Sequence, residues 1–252
     1  MGVHALVMTA TPIPRTLALI LYGDLDISVI DELPPGRQEI ATYAMHTSYY
    51  PKIYGFIRRE AEAGRQVYII CPMIEENEKM QLKAVTEYAA ELKDGALSGL
   101  RVELLHGKMT NDEKQSIMSE FAEGNIDVLV STTVIEVGIN VPNATVMVIE
   151  NADRFGLSAL HQLRGRVGRG SAKSYCILVS DTKGKTALER LKIMCATNDG
   201  FVISEKDLTL RGPGDFFGTR QHGLPEMHVK DLLGSMDMLH EAQSAAEALC
   251  RK

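Results

Sequence analysis

The feature that most constrains the fold is a regular alternation of short apolar segments and longer amphipathic segments, which begins near residue 40. The apolar segments have the length and composition of β-strands. They are residues 40–46, 67–71, 102–105, 127–130, 145–149 and 175–179. Helices are predicted between most of them, for example at residues 52–63, 79–97 and 110–121. The last of these opens with a predicted capping box, Thr110-Asn111-Asp112-Glu113. Apolar strands that alternate with helices are typical of a parallel sheet covered by helices on both faces, so we predict the α/β class.

Three parts are expected along the chain. Residues 1–33 hold one apolar strand and one apolar helix, which cannot bury themselves, and a Pro-Pro-Gly run follows them. We therefore assign residues 1–33 to the end of another domain and residues 34–184 to the main α/β domain. Residues 185–252 would form an extension that ends in an amphipathic helix at residues 232–249. The apolar helix in residues 1–33 is expected to promote self-association or to pack on the main domain.

The formal net charge is -6 at pH 7, so contacts with nucleic acid would have to come from local basic clusters. The four cysteines (Cys71, Cys176, Cys195 and Cys250) form no CxxC pair, and no histidine cluster has metal spacing, which predicts a reducing, cytoplasmic compartment and no structural metal. Cys71 and Cys176 lie in apolar segments and are expected to be core thiols. We see no membrane-spanning apolar segment and no cleavable leader, and the abrupt start predicts a piece of a longer protein.

Residues 161–169, His-Gln-Leu-Arg-Gly-Arg-Val-Gly-Arg, are the strongest candidate for a binding site. A helix here would place Gln162, Arg166 and Arg169 on one face, at positions i, i+4 and i+7. Guanidinium groups stay protonated and bind phosphate oxygens through two bonds at once, so such a face suits phosphate. Gly165 and Gly168 would each cost about 1 kcal/mol relative to alanine inside a helix, which indicates a close approach to the backbone. A solvated basic surface is the alternative interpretation.

Polar residues also follow two of the predicted strands. They are Ser131, Thr132 and Thr133 after one strand, and His106 and Gly107 after another. Ligands of parallel α/β sheets gather at the carboxyl ends of the strands, and the basic segment is expected at that edge too. Hydroxyl and backbone N–H groups at such a junction suit a phosphate, although Thr133 and Glu136 could equally form a capping box. For His106 and Gly107 taken alone, an ordinary turn is favoured.

The chain contains no complete phosphate-cradling loop. Gly184-Lys185-Thr186 ends like one and follows a strand, but Val179 stands where a glycine is required five positions earlier. We also find no acidic cluster after a strand that would hold magnesium. This chain alone is therefore not expected to complete nucleotide hydrolysis.

Three segments in order resemble motifs III, V and VI of superfamily-two helicases: Thr9-Ala10-Thr11, residues 127–142 and residues 162–169. Closer similarity to the RecG branch of ATP-dependent DNA helicases lies in residues 9–16, 105–109 and 208–223. The resemblance extends over nearly the whole chain. It implies a RecA-like domain, followed by a C-terminal helical hairpin and loop extension. The transcription-repair coupling translocase shares some of these motifs, but the insert at residues 75–99 looks more like RecG.

The resemblance also implies roles for individual residues. Arg166 and Arg169 would be arginine fingers that stabilise charge on the transferred phosphate, with Gln162 assisting. Gly138 would lie beside the nucleotide, and Asn140 replaces an aspartate that is usual in the family. The remaining assignments are DNA-backbone contacts for His106, Gly107, Thr132 and Thr133, and coupling between the nucleotide and DNA sites for Thr9, Thr11, Arg220 and Gln221.

Taken as a whole, the resemblance implies an ATP-dependent enzyme that remodels branched or forked DNA in recombination and repair. ATP with Mg²⁺ would be bound mainly by a first motor domain that this chain lacks, so the isolated chain is expected to be inactive. Its partners would be DNA and the N-terminal domains of the same protein, with no membrane. Two alternatives stay open: part of a transcription-repair coupling translocase, which would act on RNA polymerase, and a non-enzymatic nucleic-acid-binding module.

Overall fold

The computed structural model describes residues 38–72, 78–132 and 140–211, together with the single positions 6, 8, 28, 30 and 249. By its internal contacts the chain divides into two compact units. One unit comprises residues 33–198 and contains the sheet, while the other combines residues 1–32 with residues 199–252. The predicted domain limits after residues 33 and 184 stay a prediction.

The described ranges contain a single sheet and a series of helices. The strands are β1 (Ile40–Met45), β2 (Gln66–Cys71), β3 (Val102–Leu105), β4 (Val128–Thr132), β5 (Ala144–Ile149) and β6 (Ser174–Val179). The helices are α1 (Tyr50–Glu62), α2 (Glu78–Glu91), α3 (Asn111–Ala122), α4 (Leu157–Arg164), α5 (Lys185–Ala196) and α6 (Gly200–Arg211). The strand order is β1-β6-β5-β2-β4-β3, and all neighbouring pairs are parallel. The predicted parallel sheet is confirmed.

Helices cover both faces of this sheet. All residues of β2 are buried, as expected for a strand with a packed layer on each side. On one face Ile69 belongs to a core cluster that includes Ile57 of α1 and Leu92. On the other face the ring of Tyr68 lies 4.8 Å from that of Phe121 in α3, centroid to centroid. Because neighbouring residues of a strand point to opposite faces, these contacts mark two separate layers.

Two of the cysteines lie in the core, as predicted. Cys71 is 6% exposed and Cys176 is fully buried. Burial raises the pKa of each thiol to about 12. Both therefore stay protonated at neutral pH and behave as small apolar side chains.

The predicted capping box at the start of α3 is present. The Thr110 hydroxyl accepts a hydrogen bond from the backbone N–H of Glu113 (3.3 Å), and the Glu113 carboxylate accepts one from the backbone N–H of Thr110 (2.7 Å). These bonds satisfy N–H groups that the start of a helix leaves without partners. They also hold the pKa of the Glu113 carboxyl group below its ordinary value.

The helix predicted at residues 79–97 is not continuous. α2 ends at Glu91, and a π-helical turn over Leu92–Ala96 follows it. The backbone N–H of Leu97 bonds to the carbonyl of Leu92, five residues earlier (2.8 Å). Leu92 is 3% exposed and Leu97 is fully buried. An α-helix would point residues five apart to different sides, whereas the wider turn allows both leucines to enter the core.

In the second unit, the described structure is essentially α6. The Asp199 carboxylate caps this helix by accepting a hydrogen bond from the backbone N–H of Phe201 (2.8 Å). Ile203 and Leu208 are buried, with 2% and 7% of their surface exposed. The predicted helix at residues 232–249 lies outside the described residues, apart from position 249. So do residues 212–223 of the segment that resembles RecG, and nearly all of residues 1–33. Within the described residues, no helix combines the length and apolar character that a membrane span requires.

Candidate functional site

The basic segment at residues 161–169 is a helix end and the turn after it. α4 ends at Arg164, and the chain then enters a left-handed conformation at Gly168 (φ 75°). The prediction that Gln162, Arg166 and Arg169 share one helical face is wrong, because helical periodicity ends before Arg166. Gln162 is exposed in the last turn of α4, whereas both arginines project from the following turn.

The glycines of this segment allow close packing within the chain itself. A Cβ atom on Gly168 would lie 2.9 Å from Cγ1 of Ile40, and one on Gly170 would lie 2.6 Å from the carbonyl oxygen of Pro142. The positive φ of Gly168 also disfavours any residue with a side chain. The close approach predicted from the sequence is therefore real at Gly168, but Ile40 makes it rather than a ligand.

These contacts place the segment at the edge where the strands begin. Ile40 is the first residue of β1, and Pro142 lies just before β5. Gln38, ahead of β1, donates a hydrogen bond to the carbonyl of Ser171 (2.8 Å). The prediction that the basic segment lies at the carboxyl ends of the strands is wrong. α4 follows β5 and runs back across the sheet, so its C-terminal end lies at the edge where the strands begin.

At this amino-terminal edge, Arg169 is exposed and contacts Asn140. Its Nη1 donates a hydrogen bond to the Asn140 side-chain oxygen (3.2 Å), and its Nε donates one to the carbonyl of Gly165 (3.2 Å). Burial raises the pKa of Tyr68 to about 12, and the positive charges of Arg166 and Arg169 oppose that rise. Both guanidinium groups are thus close enough to act electrostatically on the same buried phenol. The structure therefore gathers Asn140, Arg166 and Arg169 at one edge.

Arg164 belongs to the same segment but is not among the site residues predicted from the sequence. Only 2% of its surface is exposed. Its Nη1 donates hydrogen bonds to the backbone carbonyls of Met194 (2.8 Å) and Thr197 (2.9 Å) at the end of α5. Burial lowers the pKa of this guanidinium from its usual value. A signal was available, because Arg164 follows Leu157 and Leu160 on the apolar stripe of α4.

His106 and Gly107 lie at the other edge, directly after β3. The backbone N–H of Met109 donates to the His106 carbonyl (3.2 Å), which closes a turn. Nδ1 of His106 is buried, and no hydrogen-bond partner for it is found in the described part of the chain. Gly107 is exposed, and Lys114 Nζ donates to its carbonyl oxygen (2.9 Å). A strand end with an exposed glycine and a nearby lysine can receive a phosphate.

Thr132 ends β4 at the same edge, but its side chain lies in the interior. It is fully buried, and its hydroxyl oxygen has no hydrogen-bond partner among the described residues. The neighbouring Ser131 hydroxyl donates to the Thr132 carbonyl (2.6 Å). A direct contact between the Thr132 hydroxyl and DNA would need this side chain to become accessible.

Several of the predicted site residues cannot be placed. They lie outside the described residues and are Thr9, Thr11, Thr133, Gly138, Arg220 and Gln221. Among the residues that are described, no group of three or more histidine, cysteine or acidic side chains could hold a metal ion.

A buried carboxylate at the end of β5 was also missed from the sequence. Glu150 is 5% exposed and accepts hydrogen bonds from the hydroxyls of Tyr50 (2.6 Å) and Tyr88 (2.8 Å). The hydroxyl oxygens of Tyr54 and Tyr88 lie 3.3 Å apart. Burial raises the pKa of Glu150, and the two tyrosine hydrogen bonds oppose the increase. This cluster ties α1 and α2 to the carboxyl-terminal edge, and periodicity alone offers no signal for it.

The candidate residues therefore form two groups on opposite edges of the sheet. Arg166, Arg169 and Asn140 lie where strands begin, and His106 and Gly107 lie where they end. Strands of four to six residues separate the edges by roughly 13–20 Å. One edge offers guanidinium groups suited to a polyphosphate, and the other offers backbone and lysine groups suited to a nucleic-acid backbone.

Comparison with known proteins decides the family. Residues 49–171 match the family model of the helicase conserved C-terminal domain. Residues 197–251 match the model of the C-terminal part of domain 3 of the ATP-dependent DNA helicase RecG. The chain belongs to the RecG family. The resemblance seen in the sequence is confirmed, and so is the predicted RecA-like α/β fold.

The RecG relatives are similar over nearly all of this chain. It is 54% identical to the ATP-dependent DNA helicase RecG of Synechocystis over 98% of its residues, and 53% identical to that of Bacillus subtilis over 97%. These matches cover 30% and 36% of the two relatives, so the chain spans about a third of their length. A solved structure of RecG bound to a three-way DNA junction is 48% identical, with a TM-score of 0.72. That match covers 91% of this chain and 30% of the solved one.

Proposed function

We propose that this chain supplies the second motor domain of an ATP-dependent DNA helicase that remodels branched DNA in recombination and repair. Family membership supports this proposal, as does similarity to a RecG protein solved with a three-way junction. ATP with Mg²⁺ would lie between this domain and a first motor domain outside the chain. The sequence contains no complete phosphate-cradling loop, so the other domain would hold the phosphates.

The observation that carries the proposal is the grouping of Arg166 and Arg169 at the amino-terminal edge. Arg169 is exposed, and the Asn140 side chain fixes the direction of its guanidinium. An arginine presented in this way can reach across a cleft and stabilise the charge that develops on a transferred phosphate. Arg166, three residues earlier, would share this role, and Gln162 would assist from the last turn of α4.

The carboxyl-terminal edge would contact the DNA backbone. Gly107 is exposed there, and Lys114 brings a positive charge to its carbonyl. Contacts of this kind read the phosphates rather than the bases, which suits an enzyme that moves along DNA of any sequence. Placing the nucleotide and DNA contacts on opposite edges would let one rigid sheet respond to both.

The decisive experiment is Arg169→Ala in the intact protein. A lost arginine finger should reduce kcat for DNA-stimulated ATP hydrolysis by about 10³-fold or more, while affinity for a three-way junction changes less than roughly threefold. Lys173→Ala, which removes an exposed cation four residues further along the chain, is the matched control and should change neither quantity much. Parallel loss of ATPase activity and DNA affinity in Arg169→Ala would contradict the finger role.

Two other functions remain as alternatives. A transcription-repair coupling translocase would bind RNA polymerase, so retention of polymerase by the intact protein would support it; the match of residues 197–251 to RecG favours the proposed function instead. The second alternative is a stand-alone nucleic-acid-binding module. In that case the protein encoded by the complete gene would bind DNA but would not hydrolyse ATP.

A further inference from the structure

We propose that Arg164 is a positioning residue that holds the base of the turn carrying Arg166 and Arg169. This inference rests on the proposed function, because it assigns Arg164 a role in aiming those two arginines. The side chain lies on the buried side of α4, so it cannot contact a nucleotide or DNA itself. Its effect would pass entirely through the residues that follow it.

The contacts of Arg164 join three elements. Nη1 bridges the carbonyls of Met194 and Thr197, which belong to the C-terminal end of α5. The same nitrogen lies 3.4 Å from the Thr42 hydroxyl of β1. Nη2 lies 3.2 Å from Nδ1 of His161, one turn earlier in α4. One planar group thus connects α4 to both α5 and β1.

The end of α5 is a suitable place for this charge. The last carbonyls of a helix lack intrahelical partners and carry the negative end of its dipole. No basic residue of α5 itself lies in its last turn. Arg164 satisfies two of these carbonyls from outside the helix. A neutral side chain of similar length could fill the apolar stripe but could not bridge both oxygens.

A second fixed point lies four residues further on. Val167 is fully buried, and Gly168 packs against Ile40 at the start of β1. Arg166 therefore lies between two anchors, and Arg169 follows the second one directly. The α-helix ends at Arg164, and the backbone N–H of Arg166 then bonds to the Leu163 carbonyl, three residues earlier (3.0 Å). The anchors to α5 and β1 would therefore hold the backbone of this turn, while Asn140 contacts the Arg169 guanidinium itself.

Loss of the first anchor should misplace the fingers without removing them. Displacements of about 1 Å can reduce catalytic rates by up to roughly 10²-fold. Arg164→Met in the intact protein should therefore lower kcat for ATP hydrolysis roughly tenfold or more, with KM for ATP and junction affinity changed less than about threefold. Arg164→Lys keeps the charge without the planar fork and should cause a smaller loss in the same direction.

A double-mutant cycle separates positioning from general stability. If Arg164 acts through Arg169, Arg164→Met should cost much less in an Arg169→Lys background than in the wild type. If Arg164 had a purely structural role, the fold-reductions in kcat of the two single variants would multiply in the double variant. That result would overturn the proposal. Unchanged kcat in Arg164→Met, or in Arg164→Lys if the methionine variant does not fold, would overturn it as well.

The matched control is Arg190→Met. Arg190 also lies in α5 and donates to a backbone carbonyl, that of Asp153 (2.8 Å). Among the described residues, its hydrogen bond does not reach the turn that carries Arg166 and Arg169. Its loss should leave kcat of the folded enzyme within about twofold. If Arg169→Lys itself leaves kcat unchanged, the proposed function fails. If it lowers kcat while Arg164→Met does not, only the positioning role fails.

Discussion

Arg169 donates a hydrogen bond to the side-chain oxygen of Asn140, 3.2 Å away, at the edge where the strands of the sheet begin. Asn140 lies just before β5, and Arg169 follows the turn after α4. The contact joins two residues that sequence similarity associates with the nucleotide. It also gives the exposed guanidinium a defined direction while leaving the acceptor neutral.

Replacing Asn140 by aspartate should strengthen this contact. A carboxylate in place of the amide oxygen would form an ion pair with Arg169, and both residues are exposed. We expect Asn140→Asp to stabilise the chain by about 0–1 kcal/mol, with the gain lost at high salt. The difference in unfolding free energy between the variant and the wild type can be measured by urea unfolding at low and at high ionic strength. A gain that persists in high salt would argue against an exposed ion pair.

Gly168→Ala should be strongly destabilising, because it combines an unfavourable φ with a clash. The added Cβ would lie 2.9 Å from Cγ1 of Ile40. Gly64→Ala is a matched control, since Gly64 has a similar φ of 78° and open space around it. We expect roughly 1 kcal/mol of destabilisation at Gly64 and roughly 2–4 kcal/mol at Gly168. Equal losses in chemical denaturation would show that Ile40 simply moves aside.

The buried carboxylate Glu150 should make stability depend on pH. Its pKa is raised in the folded chain, so the folded state binds the proton more tightly than the unfolded state does. Stability should therefore fall as pH rises above the ordinary glutamate value near 4.5, until the folded group has ionised. Glu150→Gln should flatten the dependence of Tm on pH as the pH rises from 4.5 towards neutral.

Tyr50→Phe tests the same cluster from the other side. It removes the hydroxyl that donates to Glu150 at 2.6 Å and leaves the ring in place. The ionised carboxylate loses a donor, so the destabilisation should grow as pH rises. A Tyr50→Phe penalty that is constant across this range would mean that Glu150 stays protonated throughout.

Asp127 should contribute stability that disappears in acid. Burial raises its pKa, but hydrogen bonds from the Arg101 backbone N–H (2.8 Å) and Nε (3.1 Å) outweigh that effect and lower it overall. The stabilisation is then present above the ordinary aspartate value near 3.8 and is lost as pH falls through the lowered value. We expect Asp127→Asn to cost about 1 kcal/mol at neutral pH, and progressively less as the pH falls through the lowered value. A cost that does not change with pH would contradict this account.

The chain on its own should not hydrolyse ATP in response to DNA. Its sequence has no complete phosphate-cradling loop, and the proposed fingers act only on phosphates held by another domain. A phosphate-release assay with branched DNA should remain at background. Turnover that co-purifies with the chain and disappears in Arg169→Ala would show that a nucleotide site is complete without a second domain.

Local pattern was sufficient to predict the sheet and its helices. Apolar segments bounded by turn residues correspond to β1–β6, and the Thr110–Glu113 capping box appears as expected, because these features depend on neighbours in sequence. The continuous helix over residues 79–97 was wrong, since a π-helical turn was needed to bury both Leu92 and Leu97. The tyrosine cluster around Glu150 could not be predicted, because its members come from three separate elements.

The sequence by itself determined the family, the α/β class and the clustering of three arginines in residues 161–169. Tertiary structure alone decided where each arginine of that segment lies. Arg164 is buried because α5 offers it backbone carbonyls, and Arg169 is exposed beside Asn140, 29 residues earlier in the chain. These arginines lie at the edge where the strands begin, because α4 runs back across the sheet after β5. Guanidinium groups are chemically identical, so only the long-range contacts of each one distinguish the buried Arg164 from the exposed Arg169.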